Sequence, residues 1–426
     1  MVLKKIIPAI TIALCLISCE QQVNVLKKKN IKFEIILKKQ GSNQEINMYR
    51  DMVSLSSPPG RILNDRLYFR SNRNSGFVLR IDTSSNEALM IASKYYEPEI
   101  YAIEEIRDPN LKNEKIINKN KIKVKTSKYA FNFIADFCPN NNNDIYVFDI
   151  TLPKEEKKKV IQVNRYQRRR VTQPQNNNTV EKTNRYVLKF NQDGKLVYKL
   201  GISGINGKPF DSEKSVVKMM CDQEDNFYLL LRSPAKYDEK GKLVKKKKYE
   251  IYKYNSEGRL VYHYTNLKSY LPEMKEHYFL IDDLDISRDG DEIIVLLSYY
   301  KKNNGSKDKG VRPVLKKIYS IQKQRNKFVA KLVRVLEKSG KYYSFFAMTS
   351  SGKIILNIPD TDKKESMSYM TYRFQVLDEQ GKNHGIIKLF LERNPSDRWH
   401  WLSPDDSGGV LVLTESEKHY FCQLYR

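Results

Sequence analysis

The sequence is poor in the residues that most often announce chemistry. It has 5 cysteines, 5 histidines and 2 tryptophans in 426 residues. Cys15 and Cys19 lie near the N-terminus, which leaves Cys138, Cys221 and Cys422. An odd number without paired spacing makes no disulfide framework. With no C-x-x-C there is no zinc site to read. His263, His277, His384, His400 and His419 are too scattered to suggest a metal pair. There is no P-loop, no G-x-S-x-G and no G-x-G-x-x-G opening a helix. The acidic stretch around Asp282, Asp283, Asp285, Asp289, Asp291 and Glu292 lacks the spacing of a calcium loop and reads as a hairpin turn. No catalytic residue, metal site or cofactor is expected.

Long apolar runs are also missing. Residues 6–16 are almost entirely apolar, too short to span a bilayer, which needs roughly 20 residues. Lys4 and Lys5 precede this run; Leu16 and Ser18 lead into Cys19. The arrangement resembles a bacterial lipoprotein signal peptide, with a leucine three residues before the cysteine and a small residue beside it. The resemblance implies that residues 1–18 are removed and that Cys19 begins the mature chain and carries lipid, diacylglycerol with palmitate as one possible acyl chain. It also implies an extracytoplasmic protein held to the cell membrane or the outer membrane. Residues 19–30 are polar and would serve as a tether. The competing readings are a secretory peptide with a chance cysteine, or a buried N-terminal strand.

What is abundant is positive charge. Lysine and arginine number 76 against 50 acidic residues, a formal net charge of +26. Such a balance suggests anionic partners: phospholipid head groups, acidic glycans or nucleic acid. The chain is also rich in Lys, Asn and Ile together, so codon bias spread over a solvated surface competes with that explanation. Tyr, Ile, Val and Phe prevail over Leu and Ala, which favours strands.

The strands repeat. Residues 186–198 (YVLKFNQDGKLVY) and 250–262 (EIYKYNSEGRLVY) match at Lys189/Lys253, Asn191/Asn255, Gly194/Gly258, Leu196/Leu260, Val197/Val261 and Tyr198/Tyr262. Each is a hairpin with glycine where the turn needs positive φ. Residues 372–381 form a looser copy, and residues 79–86 a possible fourth. A second hairpin precedes each of these, with turns at 140–144, 222–226, 288–290, 350–352 and 405–409 and an apolar strand after each. Two hairpins per unit make four strands, and repeated four-stranded units with little helix predict a β-propeller.

Six units are expected: residues 59–90, 131–200, 216–264, 279–336, 343–391 and 399–426. The last has room for three strands. The isolated strand at residues 31–37 is predicted to complete it as its outermost strand and close the ring, removing an exposed edge. The fold class is thus all-β, a six-bladed β-propeller over residues 31–426 with its last blade closed by an N-terminal strand. Cys138 and Cys221 fall at similar points in successive repeats. They could face each other; two separately buried thiols is the preferred expectation. His400, between Trp399 and Trp401 in an innermost strand, is read as core or channel packing.

The turn at Asp222, Glu224, Asp225, Asn226 and Tyr228 resembles that of NHL-type propellers, and residues 284–290 (LDISRDG) resemble the Ser-Pro-Asp-Gly turn of TolB-like repeats, with Arg288 in place of proline. These turns imply a fold and no activity. Signal, composition and propeller together resemble a spirochaetal lipoprotein.

The charge concentrates in the connections between second and third strands. Residues 153–185 hold ten basic and three acidic residues, net +7. Residues 233–248 are net +5 and residues 300–317 net +6, whereas residues 359–366 are net −1 and break the trend. Residues 107–128, between units one and two, are lysine-rich. Arg168, Arg169, Arg170, Lys245, Lys246, Lys247 and Lys248 are the candidate contacts to an anionic partner. The expected function is a membrane-anchored, non-enzymatic binding or scaffolding propeller of the cell envelope, whose partner is a protein or an acidic glycan or phospholipid. A surface adhesin for acidic host glycans is the alternative, and an enzyme acting on envelope glycans the third. Nucleic acid is not an expected partner, because the arginine run lacks interleaved aromatics.

Overall fold

The computed structural model describes residues 23–25, 28–39, 60–71, 76–93, 96–107, 115–150, 185–234, 236–237, 243–245, 248–265, 267–272, 277–287, 290, 292–301, 315–324, 327–336, 344–348, 353–358, 369–392, 399–404, 410–415 and 420–425. One turn chemistry, used six times, sets where strands begin and end. In the first hairpins of three units, the N–H of Asn140, Asp222 or Ser287 donates to the carbonyl of Asp144, Asn226 or Glu292. The side-chain oxygen of the same residue accepts the N–H of that partner, at 2.8, 2.9 and 2.9 Å. In the second hairpins Asn191, Asn255 and Asp378 do the same with Lys195, Arg259 and Lys382, at 2.9, 2.8 and 2.7 Å. Short polar side chains reach their own turn in this way. Each turn needs one left-handed residue: Asn143, Asp225, Gly290, Gly194, Gly258 or Gly381. At Gly258 (φ 78°) the demand is double, because a Cβ would also stand 2.9 Å from the side chains of Ile205 and Leu200 in the preceding unit.

The hairpins assemble into six blades, with strands A to D running outward from the axis. Blade 1 is Gly60–Leu63, Arg66–Ser71, Phe77–Asp82 and Glu87–Ala92; blade 2 is Ile134–Pro139, Ile145–Ile150, Arg185–Phe190 and Leu196–Gly201. Blade 3 is Ser215–Cys221, Phe227–Ser233, Lys248–Tyr254 and Leu260–Tyr264; blade 4 is His277–Ile286, Glu292–Lys301, Leu315–Gln324 and Lys327–Leu336. Blade 5 is Ser344–Met348, Ile354–Ile358, Tyr369–Leu377 and Asn383–Glu392. Blade 6 takes Trp399–Pro404, Val410–Glu415 and Tyr420–Tyr425 from the C-terminus and Lys28–Lys39 from the N-terminus. Glu34 pairs with Phe421 and Ile35 with Tyr420, so the expected N-terminal closure of the ring is present.

The closing strand is not the outermost one. Tyr96–Arg107 pairs with it antiparallel and Lys115–Lys121 pairs with Tyr96–Arg107, giving blade 6 six strands. Lys123–Lys128 then lies parallel to the D strand of blade 1. The span between units one and two is therefore largely strand. Opposite charges support it: Lys121 reaches Glu99 at 3.0 Å, and Lys119 reaches the buried Glu34 at 2.6 Å. Part of the span expected as tether is also paired, since Val23–Val25 runs parallel to the D strand of blade 5 and the closing strand begins at Lys28.

The core sits between blades, in six apolar clusters that each join two neighbours. In blade 2, Ile145 and Val147 pack with Tyr68, Val78 and Leu89 of blade 1, while Tyr146 and Phe148 pack with Phe227 and Leu229 of blade 3. A B strand is thus buried on both faces, which is why it reads as a continuous apolar run rather than an alternating one. Phe33 and Ile35 share a cluster with Ile62, Phe69, Phe77 and Leu79 of blade 1, sealing blade 6 to blade 1. Each fully buried side chain of this size contributes about 1.5–3 kcal/mol.

Candidate binding face and central channel

The B strands of blades 2, 3 and 4 end at Ile150, Ser233 and Lys301, and their C strands begin at Arg185, Lys248 and Leu315. Blades share one polarity, so these three connections leave from one face of the ring. Arg168, Arg169 and Arg170 lie outside the described residues, as do Lys246, Lys247 and Cys19. Leu243–Lys245 pairs with Lys236–Tyr237, with Lys245 opposite Lys236, so the insertion of blade 3 is in part a two-stranded ribbon. Lys248 opens the C strand and is exposed.

A charged cluster that sequence reasoning missed binds the bases of the blade 2 and blade 3 connections together. Glu250, 7 % exposed, accepts at one oxygen from Lys214 Nζ (2.8 Å) and Tyr252 OH (3.1 Å), and His263 Nε2 stands 3.0 Å from the same atom. The His263 ring stacks on Tyr252 with centroids 3.9 Å apart. Burial alone would raise the Glu250 carboxyl; the hydrogen bonds of Lys214 and His263 outweigh it and hold the group below its ordinary value. Arg185, at the start of the blade 2 C strand, donates through Nη1 to the Lys214 carbonyl. Burial lowers the Arg185 pKa despite nearby Asp211. One residue of this group carried a signal in the sequence: Glu250 is the single acidic position in the matching segments that faces a tyrosine, Tyr186, in the other copy.

The A strands line the channel. Each A strand of blades 2 to 5 carries a bulge at the same place, after Ile134, Val216, Ile281 and Phe345. Bulges re-aim the side chains that follow, here Asp136 and Lys218. Asp136, 1 % exposed, meets Arg61 of blade 1 at 3.3 Å and accepts the N–H of Met219 in blade 3 at 2.9 Å. Burial works against the charge of Arg61, but Asp136 more than offsets this and its pKa rises. Lys218 pairs with Asp285 of blade 4 at 3.2 Å. Asp285 thus belongs to a cross-blade ion pair, and the acidic stretch continues into the hairpin turn from Ser287 to Glu292. Among the described residues no group of three or more His, Cys, Asp or Glu is gathered in metal-binding fashion.

The thiols differ from the preferred expectation. Cys138 and Cys221 are not buried separately: their Sγ atoms are 3.1 Å apart across the seam between blades 2 and 3. The physical reason is that equivalent ends of neighbouring A strands converge on the axis. Of the histidines, His384 pairs with Asp378 at 3.0 Å on the blade 5 turn, and His400 lies in the A strand of blade 6.

No protein-family model matches the chain, and no curated protein matches it. Solved structures match it over most of their length at low identity. An ulvan lyase, a polysaccharide lyase bound to a glucuronate–sulfated rhamnose unit, has 9 % identity and a TM-score of 0.38 over 90 % of this chain and 95 % of that one. A putative TolB from Agrobacterium tumefaciens has 10 % identity and a TM-score of 0.34 over 93 % and 99 %. A putative gluconolactonase has 8 % identity and a TM-score of 0.34 over 92 % of each chain. At such identities and TM-scores these likenesses assign this chain no activity.

Proposed function

We propose that this propeller is a non-enzymatic binding or scaffolding module of the cell envelope, anchored by lipid on Cys19, and that it docks an anionic partner on the face bearing the B–C connections of blades 2 to 4. One observation carries the proposal. Three successive B–C connections leave from the same face, and their sequences are net +7, +5 and +6. Charges of one sign gathered on one face raise the local potential and steer an oppositely charged surface. Two buried carboxylates, one beside that face and one in the channel, each hold several donors. Glu250 holds three donors at one oxygen, and Asp136 holds Arg61 and the N–H groups of Phe137 and Met219. Such saturation suits support of a surface better than proton transfer.

The anchor would approach from the other face and leave the basic one free. Val23–Val25 lies on the outer edge of blade 5. Three residues lie between Cys19 and Val23, and extended chain spans the four steps in about 14 Å. Because Val23–Val25 runs parallel to the blade 5 D strand, which leads away from the C–D turn, the lipid would sit at the rim of blade 5 on the face of the A–B and C–D turns, opposite the basic connections.

The test is retention on heparin and on anionic liposomes as salt is raised. Replacing Arg168, Arg169, Arg170, Lys245, Lys246, Lys247 and Lys248 together by Gln should move elution to markedly lower salt, since exposed charges act through a screened field. Unchanged retention would overturn the proposal.

A further inference from the structure

We infer that Cys138 and Cys221 are a modification site: they form a disulfide that covalently joins the innermost strands of blades 2 and 3. The thiols come from A strands of neighbouring blades, 83 positions apart in the chain, and meet at 3.1 Å. A disulfide needs about 2.05 Å between sulfurs, so the two must approach by roughly 1 Å more. The surrounding strands are already held together on both sides of the pair. Two residues before each cysteine, Asp136 accepts the N–H of Met219 at 2.9 Å. Beyond them, in the A–B turns, Asn141 N–H donates to Asp225 at 2.9 Å and the Asn141 side-chain amide donates to the Gln223 carbonyl at 3.0 Å. The seam that brings the sulfurs together is thus braced before any covalent bond exists.

The two sulfurs differ in access. Cys138 is buried and Cys221 is half-buried, so an exchange partner reaches Cys221 first. Burial and the adjacent Cys138 thiol push the Cys221 pKa up, which leaves little thiolate to attack at neutral pH. The step is a thiol–disulfide exchange. The Cys221 thiolate attacks a donor disulfide, either a disulfide oxidoreductase or oxidised glutathione, and expels one donor thiolate. Cys138 then attacks the mixed disulfide at the Cys221 sulfur and expels the second. Two protein thiols are oxidised by two electrons, one donor disulfide is reduced to two thiols, and the protons leave with them. The bond closes a loop that contains the basic insertion of residues 153–185 and lies in the same seam as Arg185, Lys214 and Glu250. It would fix the spacing between the A–B turns of blades 2 and 3, at the end of the seam opposite those insertions.

The experiment uses the purified full chain, reduced and then incubated in mildly alkaline buffer with oxidised glutathione. The protein is next denatured, alkylated and mapped by mass spectrometry. The expected result is joint loss of alkylation at Cys138 and Cys221, one linked peptide pair lighter by two hydrogens, and continued alkylation of Cys422. In Cys138→Ser the glutathione adduct should accumulate on Cys221, whereas in the unmodified sequence it should be resolved. Three results would overturn the inference: both cysteines remain alkylated after oxidation, a stable glutathione adduct persists on Cys221 with Cys138 free, or the linked peptides contain Cys422. The unmodified chain decides among these even if the serine variant does not fold.

Discussion

Gly290→Ala tests whether the turns of neighbouring blades are as tightly fitted as the geometry requires. Gly290 has φ 75°, and a Cβ there would fall on the Tyr228 hydroxyl and the Asp222 carboxylate of blade 3. Alanine in the left-handed region costs roughly 1–2 kcal/mol. Tyr228 is fully buried; its hydroxyl donates to Asp222 at 2.8 Å and lies 3.2 Å from the Gly290 carbonyl. Displacing a hydrogen bond to a carboxylate costs about 1.5–3 kcal/mol more. The total is then about 2.5–5 kcal/mol, large against the usual 5–15 kcal/mol of a domain. Urea unfolding should show it as a lower midpoint with an unchanged m-value. Tyr228→Phe removes the hydroxyl that the new methyl group strikes. The two substitutions should therefore couple by at least about 1 kcal/mol, the double variant being less damaged than the sum. A loss under about 1 kcal/mol for Gly290→Ala would refute the reasoning, as would additive effects, since residues in direct contact couple.

Two further substitutions probe the other ends of the argument. Glu250 has a depressed folded pKa, so its stabilising share is complete above its ordinary range and is lost as pH falls through the folded value. Glu250→Gln should flatten the fall of Tm below about pH 5; a slope equal to that of the parent protein would show that the cluster is not coupled to folding. Cys19→Ala should abolish metabolic labelling with palmitate and shift the protein from the detergent phase to the aqueous phase in a phase-separation assay, and unaltered partition would refute the anchor.

Much of the fold was legible because its turns are local chemistry. Asn191, Asn255 and Asp378 each bond to a residue four positions on, and glycine three positions on supplies the left-handed conformation, so the hairpins repeat in letters as well as in space. The doubly buried B strands were legible as unbroken apolar runs. The strands at Lys115–Lys121 and Lys123–Lys128 were not. They lie on blade edges, where solvent accepts lysine and asparagine, so neither alternation nor an apolar run marks them. The Glu250 cluster was illegible for another reason: Lys214, Tyr252 and His263 come from three separate segments, and only the seam between blades gathers them.

By itself the sequence determined the number of blades, the closure of the last one by an N-terminal strand, and the concentration of charge between second and third strands. Each follows from interactions within a few residues, or from a count of strands that leaves one missing. Only the tertiary structure decided which cysteines meet, which acid pairs with Arg61, and how many strands lie outside the closing one. Those depend on the convergence of A strands at the axis and on which edges stay open, and contacts made across 83 positions leave no spacing to read along the chain.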